Sequence, residues 1–493
     1  MWCVVAVWSL RMDNLSVAKR FVGAQVLKQG LGYIRRDPER NLGRLLDLAE
    51  KVAPLPGQKD DVRRVRTAIR ENEAVRQFVH RLFTELSPNV QQRLLVNYFF
   101  NSLLFGVPQQ RRLAAQVGMQ IPHLILIDPT SACNLACTGC WAGKYSKADT
   151  LPPELVDRVI REAKEMGIYF IAMSGGEPTA YKHFFDVVER HRDVVFMFYT
   201  NGTLIDETFA DRLAELGNVS PAISLEGFEE ATDERRGQGT WNRVMRAMDL
   251  LHERGVAFGV SLTVTRQNAE TLFSDEFLHF LIGKGVLYGW SFHYIPVGKD
   301  VDLDRMITPE QRGYLTRRVR EVRRTLPLQI ADFWNDGDLT GGCIAGGRRY
   351  LHINAKGEVE PCAFVHFAVD NIKEKSLREA ITSPFFRAYQ ERQPMYENML
   401  RPCPIIDRPQ ALREIVAEAG AHPTHAGVAE LLTGEAARTL DERAEQWGKV
   451  ADGLWEERLR ERQARTPGAH PDVPADLIQA VWAERDRQQM GAD

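Results

Sequence analysis

The sequence predicts an α/β fold: parallel β/α units at the centre, a helical region before them and an α+β extension after them. Three observations carry this. From Pro122 onward, short apolar runs alternate with amphipathic segments, the pattern of parallel strands joined by crossover helices. Before Pro122, apolar residues recur at helical spacing. Beyond about residue 340, a turn between two short strand-like stretches reads as a hairpin.

A chain of 493 residues is too long for one small core. The expected division is a helical region at 1–118, a β/α domain at 119–330, an extension at 331–410, a C-terminal helical segment at 411–460 and a flexible tail at 461–493. The 63 basic and 66 acidic residues leave a net charge of -3, so no nucleic-acid partner is expected. No apolar run reaches the roughly 18 residues a membrane span needs. The seven cysteines are few for this length and argue against a disulfide framework, so a reducing, cytoplasmic setting is expected. The apolar opening Met1–Trp8 lacks a basic start and a small-residue cleavage site. Met12 is an alternative beginning, which would make Cys3 irrelevant.

In the N-terminal region, Val17, Phe21, Val22, Val26 and Leu27, then Leu42, Leu45, Leu46 and Leu48, follow helical spacing, and Pro54 to Gly57 interrupts it. A second helical group, about 60–105, carries Arg63, Arg64, Arg66 and Arg70 and ends in the Phe-rich segment Leu94–Phe100. Residues 12–120 hold 18 Lys+Arg against 10 Asp+Glu. That surplus marks either peripheral membrane contact through these helices or a solvated cap packed on the β/α domain. Six strands are predicted, at 124–128, 169–173, 194–199, 222–225, 257–265 and 287–294, with helices such as that following Pro152-Pro153 between them. A further helix is expected at about 309–324.

Cys133, Cys137 and Cys140 fall within eight residues directly after the first strand. A [4Fe–4S] cluster normally takes four thiolates, so three leave one iron open to another ligand. A zinc knuckle would want a fourth Cys or His nearby, and none follows within the next twenty-five residues.

The C-x3-C-x2-C spacing, followed by Trp141, resembles the signature of the radical S-adenosylmethionine (radical SAM) family. The resemblance implies a partial (β/α)6 barrel, with SAM held on the open iron and cleaved to methionine and a 5′-deoxyadenosyl radical. It also implies a reduced flavodoxin- or ferredoxin-type electron donor. Ser174-Gly175-Gly176-Glu177-Pro178 follows the second strand. Its glycines let the backbone come close to a ligand, Glu177 can accept from a ligand ammonium, and the family element it resembles holds the methionyl amine of SAM. Thr200 and Asn201 after the third strand, and Ser224 and Glu226 after the fourth, resemble positions that reach SAM. Arg236 is a candidate for the SAM carboxylate, with a surface face as the alternative. His293 and Tyr294 end the sixth strand and are the candidate catalytic pair, one of which should face the chamber because strand side chains alternate.

Cys343, Cys362 and Cys403 form a second group, the first two bracketing the hairpin Tyr350–Glu360 with its Asn354-Ala355-Lys356-Gly357 turn. This resembles the twitch and SPASM extensions that hold auxiliary iron–sulfur clusters. Three cysteines serve at most one such cluster, with a fourth ligand left open. The substrate class stays open between a lipid acyl chain or other long apolar molecule, a peptide or protein to be matured, and no substrate at all in an iron–sulfur sensing protein.

Overall fold

The computed structural model describes residues 32–34, 38–52 and 56–464. The expectations for Val17 to Leu27, for Cys3 and for residues 465–493 lie outside these.

All six predicted strands form: β1 (Leu124–Thr130), β2 (Phe170–Gly175), β3 (Val195–Thr200), β4 (Val219–Leu225), β5 (Gly259–Val264) and β6 (Tyr288–His293). Each pairs with the next in parallel. A seventh strand, β7 (Gln329–Asp332), extends the row beyond β6 across the expected boundary at 330. The hairpin forms as β8 (Tyr350–Ile353) and β9 (Glu358–Glu360), but β8 also pairs in parallel with β1. The extension therefore continues the barrel sheet. The sheet stays open, with β7 at one edge and β9 and β11 (Asp370–Asn371) at the other, while β10 (Phe367–Ala368) pairs outside it.

Alternation along the strands sorts their side chains into two layers. Ile125, Ile127, Ile171, Met173, Phe196, Phe198, Val260 and Leu262 point outward and are buried under the helices. The helix Pro153–Glu165 shows why such a cover forms. Pro sits at its start, and Val156, Val159, Ile160 and Ala163 recur on one face and are buried. Gly167, at φ 84°, then turns the chain toward β2. Leu126, Ala172, Met197, Ala222, Trp290 and Phe292 point to the inner face.

The described N-terminal helices, among them Glu73–Thr84, Pro88–Leu94 and Val107–Val117, cap the N-terminal ends of the strands. Arg81 donates to the carbonyls of Val286 and Pro327, Asn97 to that of Val194 and Gln110 to that of Gly167. Tyr98 packs edge-on to Phe170 on the inner face. Arg63 pairs with Glu50, Arg66 with Asp47 and Arg70 with Glu71, so these basic side chains meet acidic neighbours in the same region. Among the described residues no helix is long and apolar enough to cross a membrane.

Candidate active site and cysteine-rich extension

The loop of Cys133, Cys137 and Cys140 leaves the C-terminal end of β1, the end opposite the helical cap. All three cysteines are free and half-buried. Burial pushes the Cys133 and Cys140 thiols up. The loop is pinned from the β4 side: Thr138 N donates to Arg235 O at 3.0 Å, and Arg235 Nε donates back to Thr138 O at 3.1 Å. Gly139 has φ +65°, and a Cβ there would stand 2.9 Å from the Tyr294 ring. Tyr294 therefore packs against the cysteine loop, with its hydroxyl accepting from Asp302 N at 3.1 Å.

The glycine pair after β2 closes on protein backbone. Gly176 N donates to Thr130 O at 2.9 Å and Glu177 N to Ala132 O at 2.8 Å. A Cβ on Gly176 would lie 2.2 Å from Ala132 O, so no other residue fits. Glu177 is buried, and its carboxylate is taken up within the protein: Oε1 accepts from Thr179 N, Thr179 Oγ1 and Thr200 Oγ1, and Oε2 from Asn201 N, at 2.7–3.1 Å. The Glu177 carboxylate thus clamps the turns after β2 and β3 together. Asn201 extends the clamp to the cysteines by donating to Asn134 Oδ1 at 2.9 Å.

Ser174 and Ser224 continue the inner-face rows of Ala172 and Ala222. Glu226 is buried, and its Oε1 receives Arg235 Nη1 at 2.5 Å and Arg236 Nη2 at 2.6 Å, while Oε2 has no partner. Burial alone would lower the Arg236 guanidinium pKa; Glu226 and the nearby Cys137 and Cys140 outweigh this and raise it. Arg236 is therefore neither a surface residue nor a free fork. Its Nε and Nη2 are both engaged by Glu226 beside the cysteines.

His293 is a correction. It shares the outer face with Gly289 and Ser291, opposite Trp290 and Phe292, and stacks on Trp334 with centroids 5.3 Å apart. Burial holds it well below its usual pKa. Its nearest acidic group, Asp332, is 3.8 Å away, too far for a hydrogen bond, and both ring nitrogens lack one. Its ring thus lies on the strand face opposite the row of Trp290 and Phe292.

A second histidine, His352, lies on the inner face, level with Leu126. It is fully buried between Glu360, 2.6 Å from Nδ1, and Asp128, 2.9 Å from Nε2. The Asp128 contact falls outside hydrogen-bond geometry and is ionic. Burial disfavours the imidazolium, but the two carboxylates overcome this and raise its pKa to about 10. Trp141, next to Cys140, lies edge-on to the imidazole. Alternation from Tyr350 places His352 on this face; its carboxylate partners lie on β1 and β9, pairings the sequence does not display.

Cys343, Cys362 and Cys403 come from three separated segments and surround buried Tyr389, whose phenol is pushed up by burial and then by all three thiols. Tyr350 donates to Cys362 Sγ at 2.7 Å, Tyr389 lies 3.8 Å from Cys343 Sγ, and Ile405 N donates to Cys403 Sγ at 3.3 Å. Burial lifts the Cys362 thiol to about 12. Between the two cysteine groups the chamber wall is aromatic. Tyr199, Trp290, Phe292, Phe333 and Phe364 are all partly buried and pack with centroids 5–7 Å apart.

Among the described residues, no three Cys, His, Asp or Glu side chains are drawn into a finished metal cage. The fit is one of donor chemistry: two sets of three free cysteines, one on a single loop beside two arginines, suit thiolate-bound iron–sulfur clusters.

An open sheet with parallel central strands and a three-cysteine loop at their C-terminal ends carries the donor set of a thiolate-bound iron–sulfur site. The chain matches the radical SAM superfamily model over residues 127–274 and the SPASM iron–sulfur cluster-binding domain model over 343–404. Its relatives include the mycofactocin maturase MftC of Mycobacterium ulcerans, 30% identical over 56% of this chain and 79% of that one. Another is the AdoMet-dependent heme synthase of Oleidesulfovibrio alaskensis, 27% identical over 55% and 78%. Among solved structures, Streptococcus suis SuiB bound to precursor peptide SuiA is 19% identical, covering 56% of this chain and 68% of that one, with TM-score 0.47. The chain belongs to the radical SAM superfamily and carries a SPASM domain. It is a SAM-dependent enzyme whose cofactors are a [4Fe–4S] cluster, SAM and auxiliary iron–sulfur.

Proposed function

We propose that this enzyme is a peptide maturase that abstracts hydrogen from an unactivated C–H bond of a peptide. The observation that supports this most is its likeness to MftC, a maturase, along most of that protein's length. Cluster and SAM supply the hydrogen-abstracting chemistry; the chain positions its participants and excludes water. In this reading Cys133, Cys137 and Cys140 hold the SAM-binding cluster, and Cys343, Cys362 and Cys403 hold the auxiliary one. The main chain of Gly175–Pro178, with Ser174, Ser224 and Asn201, lines the SAM side. Glu177, Thr200, Glu226 and Arg236 keep those turns in register, and Tyr294 braces the cysteine loop. The aromatic wall suits a bulky apolar group on the substrate. Electrons come from a reduced flavodoxin- or ferredoxin-type donor.

The lipid reading leaned on the basic, Phe-rich N-terminal helices. Those described cap the strand ends remote from the cysteines, and Arg63 and Arg66 pair with acidic neighbours, so these contacts give it no support.

The test is to incubate anaerobically reconstituted protein with SAM, a reductant and synthetic peptides from short reading frames beside the gene. Peptide-stimulated 5′-deoxyadenosine and a peptide mass change are expected. Stimulation by a membrane lipid extract or a tetrapyrrole, with every peptide inert, would overturn the proposal.

A further inference from the structure

We propose that the buried pair Arg312–Asp407 sets the reduction potential of the auxiliary cluster and that Arg312 is a positioning residue for Cys403. The inference rests on the reading that Cys343, Cys362 and Cys403 hold that cluster.

Arg312 lies in the helix Pro309–Thr325 and Asp407 four residues beyond Cys403. Both side chains are at most 5% exposed, and Arg312 Nη1 meets Asp407 Oδ1 at 2.5 Å. The remaining donors of the guanidinium are nearly all placed. Nη2 reaches Asp407 Oδ2 and Leu400 O, each at 3.2 Å, and Nε reaches Asn335 Oδ1 at 2.9 Å. Trp447 of the C-terminal helix Gly434–Ala464 covers the cation, 4.2 Å from Cζ to the ring centroid.

Asp407 in turn grips the cysteine. Its Oδ2 accepts from Cys403 N at 2.9 Å, and its own N donates to Cys403 O at 2.9 Å. A carboxylate so close to a thiolate that carries cluster charge opposes reduction, because one more electron would enter beside an existing negative charge. Arg312 cancels that charge at hydrogen-bond distance. The chain continues from Asn335 to Asp332, 2.8 Å between Nδ2 and Oδ2, and so to the strand next to β6. The helix after β6, the β7 end and the Cys403 turn are thereby fixed through one guanidinium.

A fixed-charge role predicts shifts of opposite sign, which a purely structural role does not. The measurement is a midpoint titration monitored by electron paramagnetic resonance on the full chain with Cys133, Cys137 and Cys140 changed to Ala, so that only the auxiliary cluster is read. Asp407→Asn should raise the midpoint, Arg312→Gln should lower it, and the double variant should return toward the parent value. If Arg312→Gln is not recovered folded, the rise in Asp407→Asn and its reversal in the double variant decide. Shifts of the same sign, or no shift in Asp407→Asn, overturn the inference. If the parent holds no auxiliary iron, the ligand reading has failed; if it holds iron and the midpoints do not move, the charge inference alone has failed.

Discussion

The two cysteine regions present the same three thiols in opposite ways. Cys133, Cys137 and Cys140 come from one half-buried loop, with the guanidinium groups of Arg235 and Arg236 near Cys140 and the Glu177 carboxylate near Cys133. Cys343, Cys362 and Cys403 are brought together by a sheet edge, a hairpin and a turn, and Cys362 and Cys403 are buried. Their neighbours are the phenols of Tyr350 and Tyr389, the carboxylate of Asp407 and the guanidinium of Arg348, which donates to Cys343 O. A loop that meets a small diffusible cofactor can be local and accessible. A site within the chamber wall has to be assembled by the fold, and its thiols are harder to ionise.

The largest break in this comparison should come at Gly176. Gly176→Ala forces the turn away from Ala132 O, and a displacement of about 1 Å at a reacting site costs on the order of 100-fold in rate. SAM cleavage should fall by that order while auxiliary iron is retained, which iron analysis and 5′-deoxyadenosine assays would show. A loss of auxiliary iron instead would mean the two regions are not independent.

Glu177→Ala comes next. It strands the Thr179, Thr200 and Asn201 donors in a buried place, and should lower stability in urea titrations by about 3 kcal/mol or more. A change within about 0.5 kcal/mol would refute the clamp.

His352 supplies a pH test. Its folded pKa, about 10, lies above the unfolded value near 6.5. Its contribution to stability is therefore complete below about pH 6.5 and is lost as pH rises through about 10. The parent should lose a few kcal/mol over that window, in the order of the linkage for such a shift. His352→Gln, whose own stability is lower at neutral pH, should show a flatter profile; parallel profiles would contradict the assignment.

The smallest effect is expected at Tyr350→Phe. Losing one hydroxyl-to-sulfur bond should cost about 1 kcal/mol and weaken iron retention only at the auxiliary site. Equal loss at both sites would blur the comparison.

What the sequence displays and what it hides follow the same divide. Six strands, the first cysteine loop and the Gly-Gly-Glu-Pro turn were legible because each is written in consecutive residues whose spacing carries the chemistry. The parallel pairing of β8 with β1 joins segments more than two hundred residues apart, so nothing in either reveals it. The surroundings of Glu177 stay hidden for the same reason: its motif announces a ligand-facing turn, but the Thr200 and Asn201 donors to its carboxylate come from the end of the next strand. His293 was a matter of parity. The motif gave a His–Tyr pair, and only the inner placement of Trp290 and Phe292 shows that the imidazole faces out. Arg312 and Asp407 carry no signature, since each is an ordinary charge until folding buries both.

The central claim is that the two triplets hold two separate clusters. The most direct test is iron counted per chain after anaerobic reconstitution of the parent and of two full-length variants, one with Cys133, Cys137 and Cys140 changed to Ala and one with Cys343, Cys362 and Cys403 changed to Ala. The account predicts about eight irons in the parent and about four in each variant, with SAM cleavage abolished in the first. About four irons in the parent, unchanged in the second variant, would contradict it.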